Sequence, residues 1–191
     1  MYLKEIKIKE DFRCLVKDTK IKLQPITLLV GEQGSGKSTL LKLLQENNVE
    51  YELSELGENG VESYYFDSEK MNPRILDGDD FTNPDGTSKG VGLGYGIMSR
   101  FKSHGEALRE YTVDRIKDAK NCVLLLDEPE AALSLSNQYK LVSEFKKAID
   151  RNVQLVIATH CLPIIQSFDN VFSMEKLEWL TSEEYINTIK T

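Results

Sequence analysis

Three observations place the 191-residue chain in the α/β class, with a mostly parallel sheet flanked by helices. Apolar runs at 26–30, 122–126 and 154–158 are short and bounded by polar residues, as strands buried on both faces are. Stretches with helical spacing lie between them, and strands alternating with helices build parallel sheets. Near the N-terminus, Ile6 and Ile8, then Ile21 and Leu23, alternate with lysines, which predicts antiparallel strands.

The remaining elements follow in order. A glycine-rich turn after the strand at 26–30 leads into a helix over 37–45, and 63–66 reads as another strand. From 76 to 96 the chain turns to Asp, Gly, Asn, Pro, Thr and Ser, with Asn83-Pro84, Asp85-Gly86 and four glycines between Gly90 and Gly96, so a loop is expected. A small helical insert follows over 105–117, with Leu108, Tyr111 and Ile116 on its apolar side. The spacing predicts a helix over 137–150 that turns Leu141, Val142, Phe145 and Ala148 inward. A strand at 171–174 and an amphipathic helix over 182–190 close the chain. There is no internal repeat, and the length suits one domain over 1–191, with 76–120 as its loop and helical subdomain.

Composition excludes several classes. Hydrophobic residues at 40% and charged residues at 29% describe an ordinary globular protein. No apolar run approaches the roughly 20 residues of a membrane span, and the first residues lack a signal-peptide core, so a cytoplasmic protein without membrane insertion is expected. Cys14, Cys122 and Cys161 have no metal or disulfide spacing and read as reduced thiols. A net charge of −7 argues against a surface that attracts nucleic acid as a whole. Residues 1–24 carry +3, which reads first as the solvated face of an edge hairpin and second as a strip for DNA or a partner.

The chemistry is concentrated at three strand ends. Gly31-Glu32-Gln33-Gly34-Ser35-Gly36-Lys37-Ser38, followed by Thr39, fits G-x-x-x-x-G-K-[ST] between a strand and a helix. Glycines there let backbone amides turn in around phosphates, and the helix start adds the positive end of its dipole. Lys37 can reach β- and γ-phosphates, and Ser38 offers a hydroxyl to Mg²⁺. The ligand implied is therefore ATP with Mg²⁺. Asp127 ends the strand at 122–126, where a carboxylate can hold the metal, and Glu128 beside it suits a general base for the attacking water. His160 follows the strand at 154–158 and is placed to contact the γ-phosphate.

These pieces, in this order, resemble the ABC-type ATPases among the P-loop NTPases, in particular their compact soluble members, and the resemblance spans nearly the whole chain. Ser103-His104-Gly105-Glu106 stands where that family carries its signature, 24 residues ahead of Asp127. Ser103 matches the signature serine and Gly105 its second glycine, while His104 replaces the first. Ser103 and Glu106 also satisfy the pattern of a helix capping box. The resemblance implies that Ser103 and Gly105 bind the ATP of an opposing subunit, giving an ATP-dependent homodimer. Ala131-Ala132-Leu133-Ser134 resembles the family's D-loop, with Ser134 in place of its frequent aspartate. Residues 46 to 137 contain no glutamine, so the family's glutamine-bearing loop is altered, and Asp67 and Glu69 are the alternatives for its metal contact. Phe12 and Arg13 stand where an adenine-stacking residue is sought. The function implied is ATP binding and hydrolysis by a stand-alone cassette that drives an effector protein or a DNA-related process. The alternatives are a transporter's nucleotide-binding subunit and an ATP-switched binding module without turnover.

Overall fold

The computed structural model describes residues 2–54, 62–67, 112–131 and 133–190. Strand β1 (Leu3–Ile8) pairs antiparallel with β2 (Lys20–Lys22) on one side and with β4 (Val49–Leu53) on the other. The second sheet has the order β5-β6-β7-β3-β8-β9, built from β3 (Ile26–Val30), β5 (Ser63–Asp67), β6 (Cys122–Asp127), β7 (Val153–Ala158), β8 (Asn170–Ser173) and β9 (Glu178–Thr181). Its first five strands are parallel and only β9 joins antiparallel, at the edge. The helices are α1 (Lys37–Gln45), α2 (Leu135–Ala148), α3 (Leu162–Ile165) and α4 (Ser182–Thr188), with a further helical segment over 112–118.

The central strands are predominantly apolar because both faces are covered. Leu28, Val30, Leu124, Leu126, Leu155 and Ile157 face one cluster, which Leu141, Phe145 and Ala148 of α2 complete. Leu29, Val123, Leu125, Val156 and Ala158 face the other, with Leu40, Leu41 and Leu44 of α1 and Ile6, Ile8 and Ile21 of the antiparallel sheet. Alternation along each strand thus feeds two cores, one on each side. The helix predicted over 137–150 starts two residues earlier, behind Ser134 at its N-cap, and buries all four residues named for it. At α4, Thr181 and Glu184 form a capping box that fixes the helix start. Of the insert expected over 105–117, Ile116 is buried, while Leu108 and Tyr111 lie outside the described residues, as does the 76–96 loop.

A buried polar side chain ties the two sheets together. Gln154 on β7 is fully buried, and its Oε1 accepts the amides of Tyr2 and Leu3 at 2.9 and 2.8 Å. Its Nε2 donates to the Leu3 carbonyl at 2.9 Å and the Gln24 carbonyl at 3.2 Å. Gln154→Leu fits the space but strands two amides and two carbonyls. Unsatisfied buried groups of this kind cost about 1–3 kcal/mol each, tempered by relaxation. We expect Gln154→Leu to lower unfolding free energy by about 2–3 kcal/mol in urea titrations, and an unchanged midpoint contradicts the clamp.

The N-terminal hairpin differs from the expectation of an edge. β1 is the middle strand, because β4 pairs with its free side. Lys7 meets Asp18 at 2.7 Å and Glu50 at 3.7 Å, Lys20 meets Glu5 at 3.0 Å, and Lys4 lies 3.9 Å from Glu52. Three lysines of the +3 segment, Lys4, Lys7 and Lys20, therefore face acids of neighbouring strands and turns.

Candidate functional site

Five parallel strands end on one edge of the large sheet, the edge at which open α/β sheets bind ligands. Asp67, Asp127 and Ala158 are level there, so β5, β6 and β7 deliver their following residues at one height. Between β3 and α1 the glycine loop turns with φ of 144° at Gly31, 87° at Gly34 and 99° at Gly36. A side chain at Gly36 is disfavoured on two counts: its left-handed φ, and a Cβ built there would stand 2.6 Å from the Cys14 Sγ. Gly36 caps α1 without a side-chain bond, and helix starts left uncapped in this way receive anions. The Gly31–Thr39 residues named from sequence, Gln33, Ser35 and Lys37 among them, are thereby gathered at one strand end.

Lys37 is buried, and its Nζ donates to the carbonyls of Gly31 at 2.8 Å and Glu32 at 3.0 Å and to Ser35 Oγ at 3.5 Å. Burial pushes its ammonium group below the usual lysine range, against the opposing charges of Glu128, Glu175, Asp127 and Glu32. The Glu32 amide donates to Glu175 Oε1 at 2.6 Å, a carboxylate from the turn between β8 and β9.

Ser38 donates its hydroxyl to Asp127 Oδ1 at 2.9 Å, although 89 residues separate them. The other carboxylate oxygen, Oδ2, accepts the Tyr65 hydroxyl at 2.9 Å. Burial, then the charge of Asp127, pushes Tyr65 far above the usual phenol range, so it remains a donor. A hydroxyl and a carboxylate held together are hard oxygen donors of the kind that bind Mg²⁺ alongside waters and substrate phosphates. Ser38 and Asp127 thus fit the metal implied by the motif.

Glu128 takes a left-handed φ of 47°, rare outside glycine, and its amide donates to the Ala158 carbonyl at 2.9 Å. The loop after β6 is thereby pinned to β7. The Glu128 carboxylate is half exposed, and its Oε1 lies 3.5 Å from His160 Nε2. A carboxylate and an imidazole therefore face each other beside the glycine loop.

Of the other residues named from sequence, Ser103, Gly105, His104, Glu106 and Glu69 lie outside the described residues. Asp67 is buried at the end of β5. Ser134 is exposed at the start of α2, with no side-chain capping bond. Phe12 and Arg13 stack on each other at 5.7 Å, both exposed, in the turn whose Cys14 touches Gly36.

Sequence reasoning missed Tyr65, Glu130, Thr159 and Glu175. Glu130 is buried, and burial pushes its carboxyl up to about 7, with Glu128 adding to the rise and the Thr159 hydroxyl opposing it. An unfolded glutamate titrates near ~4.3. The stability that this raised value brings is complete below about pH 4 and lost as pH rises through about 7. The fall amounts to up to about 4 kcal/mol at one unit per 1.36 kcal/mol. We expect Glu130→Gln to lose less stability than the wild type between pH 5 and 8.5 in urea unfolding. Parallel curves would remove the buried acid from the account.

In sequence and in architecture this chain resembles the ABC-type ATPase cassettes. Residues 1–90 match the family model described as AAA ATPase domain. The energy-coupling factor transporter ATP-binding protein EcfA2 of Streptococcus sanguinis is 25% identical, over 83% of this chain and 70% of its own. Among solved structures, the dimeric post-hydrolysis ATP-binding cassette MJ0796 bound to ADP and Pi superposes with a TM-score of 0.59 at 15% identity, covering 95% of this chain and 97% of that one. The cbiO1 protein of Clostridium perfringens, part of the ABC transporter complex cbiONQ, gives 0.56 at 15% identity, covering 100% and 93%. Among the described residues no helix is long and apolar enough to cross a membrane.

Proposed function

We propose that the chain binds MgATP at the carboxyl edge of its large sheet and hydrolyses it within an ATP-bridged homodimer, as a stand-alone motor for a soluble effector or a DNA-related process. One observation carries the reading. The Ser38–Asp127 contact at 2.9 Å and the Glu128–His160 contact at 3.5 Å bring the phosphate loop, a metal-binding pair and a base onto adjacent strand ends. In this reading the loop amides and Lys37 hold the β- and γ-phosphates, with Gly31, Gly34, Gly36, Ser35 and Thr39 shaping the cradle. Ser38 and Asp127 hold Mg²⁺, which neutralises phosphate charge when bound. Glu128 accepts a proton from the attacking water, and His160 orients the γ-phosphate side of the site. Ser103 and Gly105 serve the ATP of the opposing copy. A second reading, a transporter's ATP-binding subunit, is favoured by the likeness to EcfA2.

Light scattering coupled to gel filtration tests the assembly. The Glu128→Gln protein should form dimers with MgATP and monomers with MgADP, and adding Ser103→Arg should keep it monomeric. A Glu128→Gln protein that saturates with ATP but stays monomeric at high micromolar concentration rejects the homodimer. The same protein used as bait in native cells separates the two readings: capture of an integral membrane protein selects the transporter, and capture of a soluble effector selects the motor.

A further inference from the structure

Glu130 stands two residues beyond Glu128 and takes no part in the chemistry proposed above. Its carboxyl group is nevertheless buried, 8% exposed, whereas the Glu128 side chain is 45% exposed. Oε1 accepts the Thr159 hydroxyl at 2.5 Å, and Oε2 is buried with no hydrogen-bond partner among the described residues. An acid placed in this way is unfavourable for a turn that only has to reverse the chain, since a buried polar atom without a partner is a net cost.

The surrounding bonds form a ring. The Thr159 oxygen, while donating to Glu130, accepts the Cys161 amide at 3.0 Å. Both sequence neighbours of His160 are therefore held by one hydroxyl, and that hydroxyl is held by Glu130. On the far side, the Glu128 amide reaches the Ala158 carbonyl at 2.9 Å, and His160 Nε2 faces Glu128 Oε1 at 3.5 Å. Residues 128–130 and 158–161 are thus fastened at three points, with Glu130 the inner one.

We propose that Glu130 is a positioning residue: through the Thr159 hydroxyl it sets the backbone of His160 so that the imidazole faces the Glu128 carboxylate. The proposal rests on the hydrolytic roles given to Glu128 and His160. Glu130 acts through Thr159 and takes no proton from the reaction. The titratable groups around it are Glu128 on its own loop and His160 and the Cys161 thiol on the loop after β7. The thiol is pushed up first by burial and then by the Glu130 charge. Because burial brings the Glu130 carboxyl to about 7, the ring gains and loses a proton in the neutral range. Neutral Glu130 leaves Glu128 without a second negative charge at its back.

The experiment compares Glu130→Ala, Glu130→Gln and Thr159→Val with the wild type by two readouts. The chain has only two histidines, so the His160 imidazole signals are identified in NMR spectra by their loss in His160→Ala. In Glu130→Ala and Thr159→Val those signals should shift or broaden, while Glu130→Gln, which keeps an acceptor oxygen, leaves them near the wild-type positions. For MgATP hydrolysis, Glu130→Ala and Thr159→Val should lower kcat at least tenfold with KM within about twofold, and Glu130→Gln should restore most of it. The wild-type kcat should also change between pH 6 and 8 in a step that Glu130→Gln lacks. If Glu130→Ala does not fold, Thr159→Val carries the comparison, since it removes one oxygen and preserves shape. His160 signals unmoved in the folded Thr159→Val protein overturn the proposal, whatever the rates. A wild type that turns over no ATP refutes the hydrolytic reading instead, and the imidazole signals still decide whether Glu130 positions His160.

Discussion

Lys37→Ala should lose MgATP affinity by two to three decades, about 3–4 kcal/mol at 1.4 kcal/mol per tenfold. The ammonium group is held inside the loop by two carbonyls, at 2.8 and 3.0 Å, and is already stripped of most of its water. Its desolvation has thus been met in folding, and burial weakens its hold on its own proton. A triphosphate replaces two neutral acceptors by charged oxygens, and charge-assisted bonds of this kind are about twice as strong as neutral ones. Calorimetric titration with MgATP measures the loss, and a thermal melt guards against damage to the loop, since the alanine also frees Gly31 and Glu32. A folded Lys37→Ala protein that binds ATP like the wild type would falsify the phosphate assignment of the loop.

Glu128→Gln should lower the rate of hydrolysis by about two to four decades while leaving ATP binding within a few-fold of wild type, the usual span for loss of a general base. The amide matches the carboxylate in shape but cannot take the proton of the attacking water. The backbone predicts a specific result: Glu128 is held at φ 47° by its bond to Ala158, so the substitution leaves the turn in place. Single-turnover measurements with excess enzyme separate this loss from slow product release. Turnover within threefold of wild type moves the base elsewhere in the site, and a matching loss of ATP affinity makes Glu128 a binding group instead.

How far the sequence discloses this arrangement depends on how local each determinant is. β3, β6 and β7 are legible because strands buried on both faces read as apolar runs, and the inward residues of α2 because a helix buries one stripe. The glycine loop is legible because its glycines are required by local backbone geometry. β4 was missed although Val49, Tyr51 and Leu53 alternate with Glu50 and Glu52, because that pattern is weighted by pairing with β1, some forty residues earlier. β9 spans four residues, and its place depends on Phe172 meeting Trp179 edge to face at 5.8 Å. The contacts of Tyr65 with Asp127, Glu130 with Thr159 and Gln154 with Leu3 join residues 62, 29 and 151 positions apart. No periodicity along a chain records a partner at that distance, so these appear only in the fold.

The level ending of β5, β6 and β7 has a further consequence, for how the chain tolerates change in length. Because Asp67, Asp127 and Ala158 are tied by ladder register, neighbouring strands some 4.8 Å apart set the spacing between the strand ends. The connection from β5 to β6 enters that spacing nowhere. Lengthening a loop costs only about 0.6 kcal/mol for each doubling. The spacing of the strand ends and the length of the β5–β6 connection are therefore separable quantities, and one set of strand ends can serve connections of different length.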